Sequence, residues 1–288
     1  MLTRVLRDLR ARKEPRFALV LSAGRTATQW LTMALNLHPD FFASHGQDLM
    51  PVKWPSVEAY ACGARDHFGN AASFDWNDVD GYFNLLQAQG RFRVYANVHG
   101  IMSTEPSTNP EKFVRKYRSV AMVRHPLHRV HSFVSKWNAQ HVGPSRHAVV
   151  RGFFEGAADL MIETCERYGI DRNDHEAIFF IQAVKTTFLF DSLYFGCNIP
   201  IIMMERITSD LGYFCEMFEY LTDGVLKTKK RYLSKIAAMA RIDHLSNWKE
   251  DEVVEKRWKS WQVDHFYDQL TKSALCPVYL KLGYNFRR

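Results

Sequence analysis

Arg25, Thr26 and Thr28 fall within four consecutive positions, and Arg124 and Ser132 lie eight apart. Each group joins a permanently charged guanidinium to hydroxyl donors, the side chains that bind a phosphate or sulfate most strongly. Each also follows a short apolar run, Phe17 to Leu21 for the first and Ser119 to Val123 for the second, and precedes a helix-compatible stretch. A strand-to-helix junction aims unpaired backbone N–H groups and the positive end of the helix dipole at one point, so both segments are candidate anion sites. The nucleotide-triphosphatase loop G-x-x-x-x-G-K-[ST] is a poor match to the first, which lacks its glycine spacing and its Lys; this argues against a magnesium-triphosphate site.

Pro126 suits the first turn of a helix running toward Trp137, and Ser132 then stands about two helical turns beyond Arg124. The pair resembles the cofactor signature of sulfotransferases that use 3′-phosphoadenosine 5′-phosphosulfate (PAPS). In that family a Lys/Arg-Ser/Thr-Gly-Thr-x-Trp loop holds the 5′-phosphosulfate, and an Arg with a Ser eight residues on holds the 3′-phosphate. Arg25-Thr26-Ala27-Thr28-Gln29-Trp30 matches the loop, with Ala27 for the usual Gly and Gln29 for a common Thr. Ala27 therefore puts a Cβ where backbone usually approaches the phosphate.

The resemblance implies roles. Arg25 matches the loop's catalytic cation and would clamp charge growing on the departing phosphate oxygen. Trp30 corresponds to a residue that stacks on adenine, although an aromatic at a helix start is more often a core anchor. His99, at the carboxyl end of the expected strand 92–98, matches the His base of cytosolic members, whose Lys-Thr-His reads Asn97-Val98-His99 here. An imidazole titrating near neutrality suits proton abstraction from a hydroxyl, and a histidine hydrogen-bonded into its loop is the equal alternative. Bacterial and carbohydrate sulfotransferases often carry a Glu base just after the second strand, where His45 and Asp48 stand. His99, His45 and Asp48 are thus all candidate bases.

Weaker likenesses continue along the chain. Ile199 to Ile207 resembles the late core strand with its Tyr-Glu-x-Leu element, Met204 replacing Tyr, and Phe218-Glu219-Tyr220-Leu221 the helix after it. Trp258, Trp261 and Leu282-Gly283-Tyr284 are similar to the family's aromatic C-terminal helices and its ending. The basic run Lys227, Lys229, Lys230, Arg231 resembles the late loop over the 3′-phosphate, against the commoner reading of a solvated face.

These residues need a frame that brings strand ends together. The expected order is strand 16–21, helix 26–37, strand 41–45, an irregular segment 46–80, helix, strand 92–98, helix, strand 118–123 and helix 126–139. Helices at 151–169 and 174–194, a strand at 199–204 and a largely helical remainder follow. Alternating strands and helices imply an α/β fold: a three-layer parallel sheet with a P-loop-like phosphate loop and a helix-rich C-terminal half. Ligands in such sheets bind outside the carboxyl ends of the strands.

With 288 residues, no linker-like tract and a hydrophobic fraction of 47%, the chain is expected to form a single domain over 1–288. Residues 1–15 space Leu2, Val5, Leu6 and Leu9 on one face of a peripheral helix that packs on the body, with membrane-surface docking as the alternative. The net charge of +7 suits a polyanionic ligand, and the scattered cations show no zinc-finger or RNP-like pattern, so a nucleotide cofactor is favoured over nucleic acid. Five cysteines with no CxxC pair suggest neither a zinc site nor a disulfide framework, and no metal is expected from His125, His128 and His131, which have no acidic partner nearby. Without a signal peptide or transmembrane stretch, the expected location is the cytoplasm. The expected function is sulfuryl transfer from PAPS to a small-molecule or carbohydrate hydroxyl, or to an amine. A small-molecule kinase using ATP and a non-catalytic nucleotide- or RNA-binding module are the alternatives.

Overall fold

The protein is described here from a computed structural model, over residues 15–45, 79–88, 91–99, 114–240 and 257–286. Asp48 and the N-terminal helix expected over 1–15 lie outside these residues. The chain divides into two compact units, one of residues 1–22, 27–122 and 199–242, the other of residues 23–26, 123–198 and 243–288.

The first unit is built on a five-stranded parallel sheet. Its strands are β1 (Arg16–Leu21), β2 (Phe41–His45), β3 (Val94–Val98), β4 (Arg118–Val123) and β5 (Ile201–Met203), in the order β2-β3-β1-β4-β5. Their apolar runs match a sheet buried on both faces, with β3 buried at every position. In the register between β2 and β3, Ser44 stands opposite Asn97, and His45 opposite Val98. Helix α1 (Thr28–Asn36) follows β1, and Leu31, Ala34 and Leu35 enter the core with Phe41, Phe214 and Phe218. Helix α2 is Val79–Ala88, α6 Met204–Ser209, α7 Leu211–Thr222 and α8 Lys230–Ala240. The strand expected at 199–204 is three residues long, beginning after Pro200 and ending where α6 starts at Met204.

The basic run sits away from the strands' carboxyl ends. Lys227 makes a backbone hydrogen bond to His38, just ahead of β2, and the Tyr232 hydroxyl donates to the Ala34 carbonyl near the end of α1 at 3.0 Å. Within this unit the run thus lies by the amino-terminal end of β2, opposite His45, and its side chains are exposed.

The second unit is helical: α3 (Pro126–Gln140), α4 (Pro144–Tyr168), α5 (His175–Gly196), α9 (Ser260–Lys272) and α10 (Cys276–Lys281). Helix α4 starts seven residues before the expected 151, with Pro144 in its first turn after Gly143 at φ 58°. Helix α5 is long and apolar enough to cross a membrane by length and composition, yet Ile178, Phe179, Ile181 and Val184 are fully buried in the unit's core.

A buried polar knot ties three of these helices. Arg129 of α3 donates to Asp191 Oδ1 at 2.7 Å and to the Thr187 carbonyl at 2.6 Å, and the Tyr279 hydroxyl of α10 donates to Asp191 Oδ2 at 2.5 Å. Burial pushes the Asp191 carboxyl up in pKa, against the pull of Arg129 and Tyr279. Burial also works against the Arg129 charge, and Asp191 with Tyr279 and Tyr194 together outweigh it.

His265, on α9, is buried and has its pKa pushed down to about 4 by that burial. A base whose folded pKa lies below its unfolded value takes up protons more readily when unfolded, so its contribution is complete above roughly pH 6.5 and is lost as the pH falls toward about 4. Guanidinium midpoints are expected to drop between pH 7 and pH 5, and His265→Leu is expected to flatten that drop; an equal drop in the variant would assign it to other groups.

Candidate active site

Two short loops end their strands under strain. Arg25 has φ 58°, Ala27 φ 55° and His99 φ 68°, all in the left-handed region that favours glycine. Non-glycine residues persist there only where the surroundings over-determine them, which happens most often at ligand sites. A glycine would take the Ala27 conformation without cost, and with Ala27 left-handed α1 begins at Thr28 rather than at 26.

In the second unit the two sequence motifs meet. Arg25 Nε donates to Ser132 Oγ at 2.9 Å, and Arg124 donates through a terminal guanidinium nitrogen to the Arg25 carbonyl at 3.2 Å. Thr26 is fully buried in the same unit. Burial pushes the Arg25 pKa down, and the neighbouring Arg124 charge pushes it further. Two cations held together and partly out of water at a cost are the electrostatic form of an anion site, since one bound phosphate relieves both the burial and the repulsion. Helix α3 opens beside them with His125 as N-cap, no side-chain cap and no acidic residue in its first turn.

Further cations join this cluster without a sequence motif. His131 has its pKa lowered by burial, then by Arg257, His128 and Arg124. Arg257 was not legible as a site residue because it stands more than a hundred positions from Arg124 and belongs to no pattern. The C-terminal ending also acts here: the Tyr284 ring packs edge-on to His125 with centroids 5.0 Å apart, and the His125 ring hydrogen-bonds the Asn285 carbonyl through Nε2 at 3.3 Å.

In the first unit the strand ends carry the candidate bases. His99 Nδ1 lies 2.9 Å from the Ser22 carbonyl oxygen. A carbonyl only accepts, so Nδ1 holds the proton and the neutral ring keeps its lone pair on Nε2. His45 Nε2 lies 3.0 Å from Thr28 Oγ1, and the two imidazole centroids are 5.3 Å apart. Asn97 is buried and donates to Tyr82 Oη at 2.7 Å and to Ser44 Oγ at 3.1 Å. It thus serves the joint between α2, β2 and β3. Trp30 is half-buried, edge-on to Phe214 at 6.2 Å, with its indole nitrogen buried and without a hydrogen-bond partner among the described residues; Gln29 is exposed.

No family model and no curated protein matches the chain. Among solved structures it is similar to mouse sulfotransferase SULT7A1 complexed with PAP, at 12% identity and a TM-score of 0.49, over 90% of this chain and 83% of that one. It is also similar to a sulfotransferase from Alicyclobacillus acidocaldarius, at 14% identity and a TM-score of 0.41, over 86% of this chain and 99% of that one. The roles of individual residues rest on the local geometry.

Proposed function

We propose that this chain is a sulfotransferase that moves a sulfuryl group from PAPS to a hydroxyl or amine of a small-molecule or carbohydrate acceptor. The observation that carries the reading is the hydrogen bond from Arg25 to Ser132, beside Arg124. It joins segments 107 positions apart into one half-buried, positively charged cradle, the kind of residue set that binds a doubly phosphorylated nucleotide.

PAPS, when bound, supplies the activated sulfuryl group and a phosphate leaving group. Arg124 and Ser132 bind the 3′-phosphate, and Arg257 adds long-range positive charge. Thr26 and Thr28 donate hydroxyl protons to the 5′-phosphate, together with the backbone of Ala27 and Gln29 at the uncapped start of α1. Trp30 offers its outer ring surface to the adenine. Arg25 stabilises the charge that grows on the leaving oxygen, a role for a fixed cation rather than a proton donor. His99, with Nε2 basic, takes the acceptor proton. The four described cysteines are free, which fits a reducing cytoplasm.

The test is a thermal-shift comparison of adenosine 3′,5′-bisphosphate with magnesium-ATP and a short RNA, followed by transfer from labelled PAPS to a panel of hydroxyl compounds. Stabilisation by the bisphosphate alone, with label moving to an acceptor, is expected. Stabilisation by magnesium-ATP in its place would make the chain a kinase, and by RNA in its place a binding module.

A further inference from the structure

We propose that His45 is the residue that aims the hydroxyl proton of Thr28, and so prepares the start of α1 for a 5′-phosphate; this rests on the sulfotransferase reading. The geometry lies within the first unit. Thr28 is the first residue of α1 and is buried, and its carbonyl accepts from Thr32 Oγ1 at 2.8 Å, which pins the first helical turn. Its hydroxyl meets His45 Nε2 at 3.0 Å, where β2 ends.

A threonine hydroxyl has one proton to give. When His45 Nε2 is bare, it takes that proton as acceptor and turns the hydroxyl's lone pairs toward an incoming anion, which repels them. When Nε2 carries a proton, it donates to Oγ1, and the hydroxyl proton is left to donate to the phosphate. The ring form with a proton on Nε2 is therefore the binding form. A phosphate at the helix start favours that form in turn, because only that form leaves it a donor. The titratable group facing this pair is His99 from β3, with ring centroids 5.3 Å apart; the described parts of α1, β1 and β3 bring no carboxylate to it.

The assignment also divides labour between two of the candidate bases. His99 keeps its lone pair on Nε2 through its bond to Ser22, whereas His45 has its Nε2 committed to Thr28. His45 is thus a positioning residue that acts through Thr28.

The experiment is a calorimetric double-mutant cycle on the full chain with His45→Ala, Thr28→Val and the double variant, titrated with adenosine 3′,5′-bisphosphate and with adenosine 3′-phosphate. His45→Ala is expected to weaken the bisphosphate about tenfold, the worth of one hydrogen bond, and to leave adenosine 3′-phosphate unchanged. In the Thr28→Val background the His45 replacement is expected to cost nothing more. His45→Gln, whose amide N–H donates to Oγ1, is expected to retain most of the affinity, which also controls for loss of folding. Losses that simply add, or equal losses for both nucleotides, would overturn the assignment while the sulfotransferase reading stands. If the wild-type chain binds neither nucleotide, both fall together.

Discussion

Arg129→Met is expected to lower the unfolding free energy by about 3–5 kcal/mol, the scale for removing one partner of a buried ion pair. The cost comes less from the lost attraction than from what remains: Asp191, fully buried, is left with the Tyr279 hydroxyl as a partner in place of a guanidinium. It must then take up a proton or stay charged in a dry interior. The double variant Arg129→Met/Asp191→Leu is expected to recover much of the loss, because apolar residues of similar volume replace the pair without an orphaned charge. Guanidinium unfolding of the two variants checks this. A single variant as stable as wild type, or a double variant no better than the single, would contradict the account. Since α3 also carries Ser132, the single variant is expected to loosen the anion cradle as well.

His99→Ala is expected to reduce turnover about a hundredfold or more while adenosine 3′,5′-bisphosphate still binds. The expectation follows from one hydrogen bond. The Ser22 carbonyl fixes the tautomer of His99, so the basic nitrogen is set before an acceptor arrives. The variant relieves a left-handed backbone residue only slightly, since alanine also disfavours that region, so its stability is expected to change little. Once an acceptor is found, steady-state kinetics with labelled PAPS decide the matter. Wild-type turnover in His99→Ala, together with its loss in Asp48→Asn, would move the base to the segment after β2.

Much of this was legible in the sequence, and the reasons differ from residue to residue. β1, β2 and β4 were readable to the residue because short apolar runs bounded by charged or turn residues have few other uses. The eight-residue spacing of Arg124 and Ser132 carried the expectation that both reach one group, and both hydrogen-bond Arg25. The bond from Arg25 to Ser132 was not legible, because spacing along the chain carries no information about a partner 107 positions away. Nothing in the sequence pairs Arg129 with Asp191, which stands 62 positions on, and only the fold brings them together. The start of α1 shifted because Ala27 adopts a conformation that propensity alone disfavours, and the start of α4 because Pro144 opens it. For Lys227 to Arg231 the commoner reading of a solvated face agrees with their exposed side chains, and the Lys227 backbone meets His38, just ahead of β2.

The central claim is that Arg124 and Ser132, tied to Arg25, form the seat of a 3′-phosphate. Calorimetric titration of wild type, Arg124→Ala and Ser132→Ala with adenosine 3′,5′-bisphosphate and adenosine 5′-phosphate tests it most directly. The account predicts that Arg124→Ala weakens the bisphosphate by roughly 1.5–3 kcal/mol, the worth of a charge-assisted bond, that Ser132→Ala weakens it less, and that adenosine 5′-phosphate binds all three chains alike. Equal losses for the two nucleotides would contradict it.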